Sequence, residues 1–140
     1  MHEIAAEERK RIEGRIGRFV RNRTEIAIAY LHGSFLTRAF RDIDIGIVLH
    51  DTGKRKPLEY ELDTEDDLER LIGFPFDVRV LNQAPLPFRF NVLKTGVLLF
   101  SRNERFRSDF ESLTIVEYHD FEFVRRTYRR EAIGIKRSTS

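Results

Sequence analysis

Between Glu25 and His32 the chain runs without a polar break through Ile26-Ala27-Ile28-Ala29-Tyr30-Leu31. The stretch is short and partly β-branched, so it reads as a strand buried on both faces, and Gly33-Ser34 turns the chain at its end. Three more segments share this character. Asp42 to Leu49 is rich in isoleucine and valine, Phe76 to Leu81 alternates, and Val97 to Phe100 is a last short strand. The stretches between them are helical in pattern. Ile12, Ile16 and Phe19 recur at helical spacing, predicting a helix over residues 3–22. Residues 35–40 read as a short helix. Thr64 followed by Asp67 reads as a capped helix start leading to Gly73, and Pro85 and Pro87 precede a further short helix through about Lys94. From Glu104 the pattern is helical again, with Asp120 breaking it and capping a second segment whose inner side carries Phe123, Val124 and Tyr128. Helices alternating with strands predict an α/β fold: a mixed β-sheet with flanking helices and a helical C-terminal region over about 104–137, all one domain spanning 1–140.

Composition narrows the function classes. At 140 residues and 41% hydrophobic, the chain is large enough for a real core. It contains no cysteine, which excludes a disulfide framework, a thiolate metal site and a thiol nucleophile. No apolar run is long enough to cross a bilayer, and the N-terminus lacks the basic start and apolar stretch of a secretory signal. A cytoplasmic location is the expectation. Lysine and arginine total 25 against 23 acids, so the net charge of +2 does not by itself mark a nucleic-acid binder. The basic residues nonetheless crowd one end, at Arg125, Arg126, Arg129, Arg130, Lys136 and Arg137, and acids cluster from Glu59 to Asp67. The first run reads most simply as a solvated helix face, its alternative being docking to a partner or to RNA phosphates, and the second as a surface loop and helix start.

The carboxylates carry the chemistry. Side chains alternate along a strand, so Asp42 and Asp44 point the same way, with Cα atoms roughly 6.5 Å apart. Two carboxylates so spaced can share hard divalent cations, which take oxygen ligands. Aspartate is a poor strand residue, and such conflicts with propensity gather at functional sites. Alone, the pair reads more readily as an exposed strand end than as a metal site. Asp77, at the start of another apolar strand, would complete a three-carboxylate cage if the two strands are neighbours; alone it reads as the ion-pair partner of Arg79 or another surface arginine. Gly33-Ser34 is a weak signal alone, since most such pairs are ordinary turns. Following a buried strand, however, it lets backbone approach a phosphate closely, and a helix start beyond it adds favourable charge. None of His2, His32, His50 and His119 has zinc-ligand spacing with another, and His32 reads as a packed or hydrogen-bonded side chain rather than a phosphate contact. The phenylalanines read as core.

Tyr30-Leu31-His32-Gly33-Ser34-Phe35 followed by Asp42-Ile43-Asp44-Ile45 resembles the signature of the polymerase-β-like nucleotidyltransferase superfamily. Within it the chain is similar to the minimal nucleotidyltransferases (MNT), the antitoxin halves of HEPN–MNT toxin–antitoxin pairs, over nearly its whole length. Leu93 to Ser101 resembles that family's late hairpin, and Glu117 to Phe121 a segment of its C-terminal helices. The resemblance implies that Gly33 and Ser34 bind nucleotide phosphates. It also implies that Asp42 and Asp44 hold two magnesium ions, with Asp77 as the third catalytic and metal-binding carboxylate. The implied reaction transfers AMP from ATP to a tyrosine hydroxyl of a HEPN toxin. The interval between Ser34 and Asp42 departs from the family pattern: it is shorter and lacks glycine, leaving Arg38 or Arg41 to supply charge there. The alternative is a binding module that neutralises its partner by docking alone. A third class, nucleotidyl transfer to a small molecule or RNA, finds no extra substrate domain in 140 residues. Self-association is left open.

Overall fold

A computed structural model of the protein describes residues 1–53 and 55–139, with side chains through Gly134. In chain order the elements are α1 (Ala6–Arg21), β1 (Ile26–His32), a single 3-10 turn (Ser34–Leu36), β2 (Ile43–Leu49) and α2 (Pro57–Ile72). Then come β3 (Phe76–Val80), α3 (Leu86–Thr95), β4 (Val97–Ser101) and α4 (Glu104–Thr139). The strands form one four-stranded sheet in the order β3-β2-β1-β4. β1 is antiparallel to β2 and β4, whereas β2 and β3 run parallel. The expected mixed α/β architecture holds.

The unbroken apolar run of β1 is explained by its central place. Ile26 through Leu31 are all buried, and each sheet face has its own core. On one face Ile43, Ile45, Ile47 and Val78 pack with Ile12, Ile16 and Val20 of α1 and Tyr60 and Leu68 of α2. On the other, Ile28, Tyr30, Val48 and Leu81 pack with Val92 of α3, and Phe106 and Phe110 of α4 lean on them. Alternation along β2 and β3 puts Asp44 and Asp77 on this second face, at the end that the α3–α4 layer leaves half-open.

Several expectations are corrected. α2 starts at Pro57, not Thr64. Proline suits a first helical turn, where its missing N–H costs nothing. Thr64 lies within the helix, 3% exposed. The acidic stretch is therefore helix, not loop. Residues 35–40 form no helix: a single 3-10 turn, Ser34–Leu36, ends before Thr37. Leu93 to Ser101 is no hairpin: α3 ends at Thr95, and Val97 starts a strand that pairs with β1. Asp120 does not break α4, which is continuous. Phe123, Val124 and Tyr128 lie outside the core; Phe123 is 72% exposed. Of the C-terminal basic run, Arg125, Arg126, Arg129 and Arg130 are on the exposed surface of α4. The side chains of Lys136 and Arg137 lie outside the described residues.

Candidate active site

Three neighbouring strands bring the site together. His32 at the end of β1 faces Asp44 of β2 across the antiparallel pair, and Asp44 faces Asp77 of β3 across the parallel pair. Asp42 precedes β2 by one residue and is half-buried. The chain leaves β1 through Gly33, whose φ of 80° lies in the left-handed region that favours glycine. A Cβ built there would fall 2.0 Å from Asp44 Oδ2. The glycine is thus required twice, by its dihedral and by the carboxylate lying against it. Ser34 follows, half-buried; its carbonyl accepts hydrogen bonds from the N–H groups of Thr37 (3.2 Å) and Arg38 (3.0 Å). The turn is braced beneath by the fully buried Phe35, whose carbonyl accepts a hydrogen bond from Arg9 of α1. Since the turn is only one 3-10 turn, close backbone approach, not a helix dipole, is what it offers an anion. Arg38 and Arg41 are both exposed beside this loop.

Burial, then the charges of Asp77 and Asp42, push the Asp44 carboxyl up to about 6. Like charges held at short range disfavour a second ionisation. Asp77 is not free in the same way: its Oδ1 accepts a hydrogen bond from Arg79 Nε at 3.0 Å, the ion pair that alternation within β3 permits. The structure therefore brings Asp77 beside Asp44 but holds its carboxylate on a guanidinium instead of in a closed cage. Among the described residues no three His, Asp or Glu side chains converge tightly enough to hold an ion by themselves. Magnesium rarely needs that, because one or two carboxylates, waters and substrate phosphates complete its shell. The donor set fits such an ion. All three side chains are oxygen donors, and the repulsion felt at Asp44 is what a divalent cation would relieve.

His32 was legible only as a packed side chain. It does pack, edge-on to Phe88 with ring centroids 5.9 Å apart, but its Nε2 is buried with no hydrogen-bond partner among the described residues. Burial lowers its pKa, against the pull of Asp77. Gly96 was noticed only as a helix end. A Cβ there would meet the Val92 carbonyl at 2.6 Å and the Leu31 carbonyl at 3.0 Å, so the α3–β4 junction presses directly on the end of β1. Phe88 had no local signal beyond its apolar character.

A family model described as polymerase beta, nucleotidyltransferase matches residues 15–105. A search of curated protein sequences found no significant match. Among solved structures, the chain is similar to one of a tri-AMPylated Shewanella oneidensis HEPN toxin in complex with MNT antitoxin. The identity is 20%, the TM-score 0.70, and the match covers 89% of this chain and 98% of the other. A second, the toxin–antitoxin MntA–HepT, is 19% identical with a TM-score of 0.69 over 89% and 98%. A third, a toxin–antitoxin with AMP-PNP, is 21% identical with a TM-score of 0.71 over 86% and 98%. At these identities the likeness is one of fold.

Proposed function

The chain belongs to the polymerase beta nucleotidyltransferase family, and on that premise we propose that it is a magnesium-dependent enzyme transferring AMP from ATP to a tyrosine hydroxyl of a HEPN-domain toxin, which it thereby silences. One observation carries the reading. Asp44 faces Asp77 in register while its own carboxylate lies against the Gly33 backbone, so a phosphate-accessible turn and an acid pair share one point. The solved complexes of similar fold, one with an AMPylated HEPN toxin and one with AMP-PNP, support the choice of nucleotide and partner.

In this scheme Gly33 and Ser34 receive the triphosphate, and Asp42 and Asp44 are the side chains that would hold magnesium. Bound magnesium supplies charge neutralisation at the phosphates and raises the acidity of a coordinated hydroxyl. Asp77, released from Arg79, accepts the phenolic proton, since a tyrosine hydroxyl with a pKa near ~10 needs a base at neutral pH. The phenolic oxygen bonds to the α-phosphorus as the bond from that phosphorus to the α–β bridging oxygen breaks. Pyrophosphate leaves with the electron pair. The test is incubation with labelled ATP, magnesium and a HEPN partner, followed by mass analysis of the partner's tyrosines. Asp44→Ala is expected to abolish the mass gain with the fold retained; a fully active Asp44→Ala protein would overturn the scheme.

The Arg79 ion pair on Asp77 and the short interval from Ser34 to Asp42 favour a second reading, neutralisation by docking alone. It is distinguished by an Asp44→Ala variant that still silences the toxin with no AMP on it.

A further inference from the structure

Helix α4 runs on past the layer it packs against. Its first half is seated: Phe106 and Phe110 lean on the sheet, Thr114 is buried, and the Tyr118 ring stacks on Phe90 of α3 with centroids 3.8 Å apart. From Phe123 to Glu131 every residue is exposed. Apolar side chains continue there nonetheless, with Phe123 and Tyr128 more than two-thirds exposed, and Leu113 and Val116 are open on the seated half too. With Val124 they recur at steps of three, four and seven, and so share one face of the helix. Helices are marginal in water unless such a face is packed.

The charges along α4 indicate what covers the stripe. Residues 108–122 carry Asp109, Glu111, Glu117, Asp120 and Glu122 and no lysine or arginine. Residues 123–131 reverse this, with Arg125, Arg126, Arg129 and Arg130 against Glu131 alone. The helix dipole does not account for the division, because it acts within the first and last turns, whereas Asp120 and Arg125 lie mid-helix. Some of these charges are matched within the chain: Glu111 with Arg107, Glu117 with Arg89, and Glu122 with Arg125 and Arg126. Among the described residues, Asp120, Arg129 and Arg130 have no ion-pair partner. Asp120 falls inside the apolar stripe, one turn from both Val116 and Phe123, and Arg130 borders it. A nucleic acid or an anionic membrane would suit the basic half and be repelled by the acidic one. A surface that complements both halves carries the same division reversed, as a second α4 does when laid antiparallel.

We propose that the occupant of this face is a second copy of the chain, α4 against α4, antiparallel about a two-fold axis near Arg125. That point lies midway between Asp120 and Arg130. Two-fold symmetry therefore sets each copy's Asp120 beside the other's Arg130, and the bare acid and the bare base are both matched, twice per dimer. The overlap runs from Leu113 through residue 137, about 36 Å at ~1.5 Å per residue, more than three heptads of paired helix. Only the first half of each α4 is seated on its own sheet and α3, so these layers of the two copies stand at opposite ends of the pair. The pairing needs neither nucleotide nor toxin and is independent of the transfer reading above.

Sedimentation velocity of the full chain alone, over a range of concentrations, tests this. A monomer–dimer equilibrium is expected, weakened by added salt. Asp120→Arg, and separately Arg130→Asp, should each raise the dimer Kd about tenfold or more, while the double reversal returns it toward the unaltered value. A parallel pair would set Asp120 against Asp120, and Asp120→Arg would then tighten it. Far-UV circular dichroism checks that each variant keeps its helix. Should a charge variant fold poorly, Phe123→Ser, at an exposed position, serves in its place and should also dissociate the pair. A chain that stays monomeric up to about 200 µM overturns the proposal. So does a dimer indifferent to Asp120→Arg and Phe123→Ser. A monomer that buries Phe123 only when a HEPN-domain protein is added, read as a change in its hydrogen-exchange protection, gives the face to that partner and overturns the proposal as well.

Discussion

Gly33 is the position where backbone conformation and acid chemistry meet. Its dihedral and the adjacent Asp44 carboxylate each forbid a side chain, for independent reasons. Gly33→Ala should therefore cost ~1–3 kcal/mol in backbone strain and also displace Asp44. The expected outcome is a lowered Tm together with about a hundredfold loss of transfer, because small misplacements of reacting groups are costly. A Gly33→Ala protein of unchanged Tm and activity would show that neither constraint matters. The Gly-Ser turn was readable in the sequence, but the reason for its glycine was not. The atom it must avoid belongs to a residue on the next strand, in contact only after β1 and β2 pair.

At the scale of elements, the edge of the sheet shows what the acidic stretch is for. β3 is an edge strand, with alternate N–H groups pointing away from β2. Such edges invite pairing with other chains. Here Phe76, Val78 and Val80 donate these N–H groups to Glu69 (3.2 Å), Glu65 (2.8 Å) and Glu61 (2.8 Å). The glutamates recur every four residues, so they line one face of α2, and the strand's period of two brings alternate N–H groups to meet them. Burial and the neighbouring acids raise the Glu65 carboxyl above its ordinary range, while the Val78 N–H pulls the other way. Replacing Glu65 with Ala should cost ~1 kcal/mol, from the lost hydrogen bond and the stranded donor. Gln, which keeps an acceptor oxygen, should recover part of it. Urea denaturation checks the cost. Light scattering checks a second outcome, concentration-dependent association when all three glutamates are changed to Ala. A helix leading to Gly73 was legible in the sequence, although its start was not. The function of its glutamates was not, because it depends on which strand α2 lies beside.

For the whole molecule, two tyrosines tie layers together. The Tyr30 hydroxyl donates to Glu111 Oε1 at 2.8 Å, joining β1 to α4, where Arg107 holds the same carboxylate. The Tyr60 hydroxyl donates to Glu25 Oε1 at 2.9 Å, joining α2 to the start of β1. Burial first, then the acid partner, raises both phenols well above their ordinary range. The sign follows from linkage: above the unfolded tyrosine pKa near ~10, the unfolded chain releases these protons and the folded one keeps them. Stability should be insensitive to these groups below that pH and fall as pH rises past it. Urea midpoints measured from pH 8 to about 11 should show the decline, and a Tyr30→Phe, Tyr60→Phe protein should show less of it. An equal decline in that variant would assign it to other groups.

The strands, the glycine-serine turn, the paired aspartates and the α/β class were all present in the amino-acid sequence, because each is written in a local period of two or 3.6 or in the chemistry of neighbouring residues. Where the pattern misled, at the start of α2 and at Asp120, the cause was local too: a polar residue resembling a cap lies within a helix. Tertiary structure alone decided that β2 and β3 are adjacent and parallel, in the register that puts Asp44 opposite Asp77. It also decided that Arg79 holds Asp77. Strand order and register are relations between segments some thirty residues apart, set by how two cores are filled at once. No window along the chain contains them.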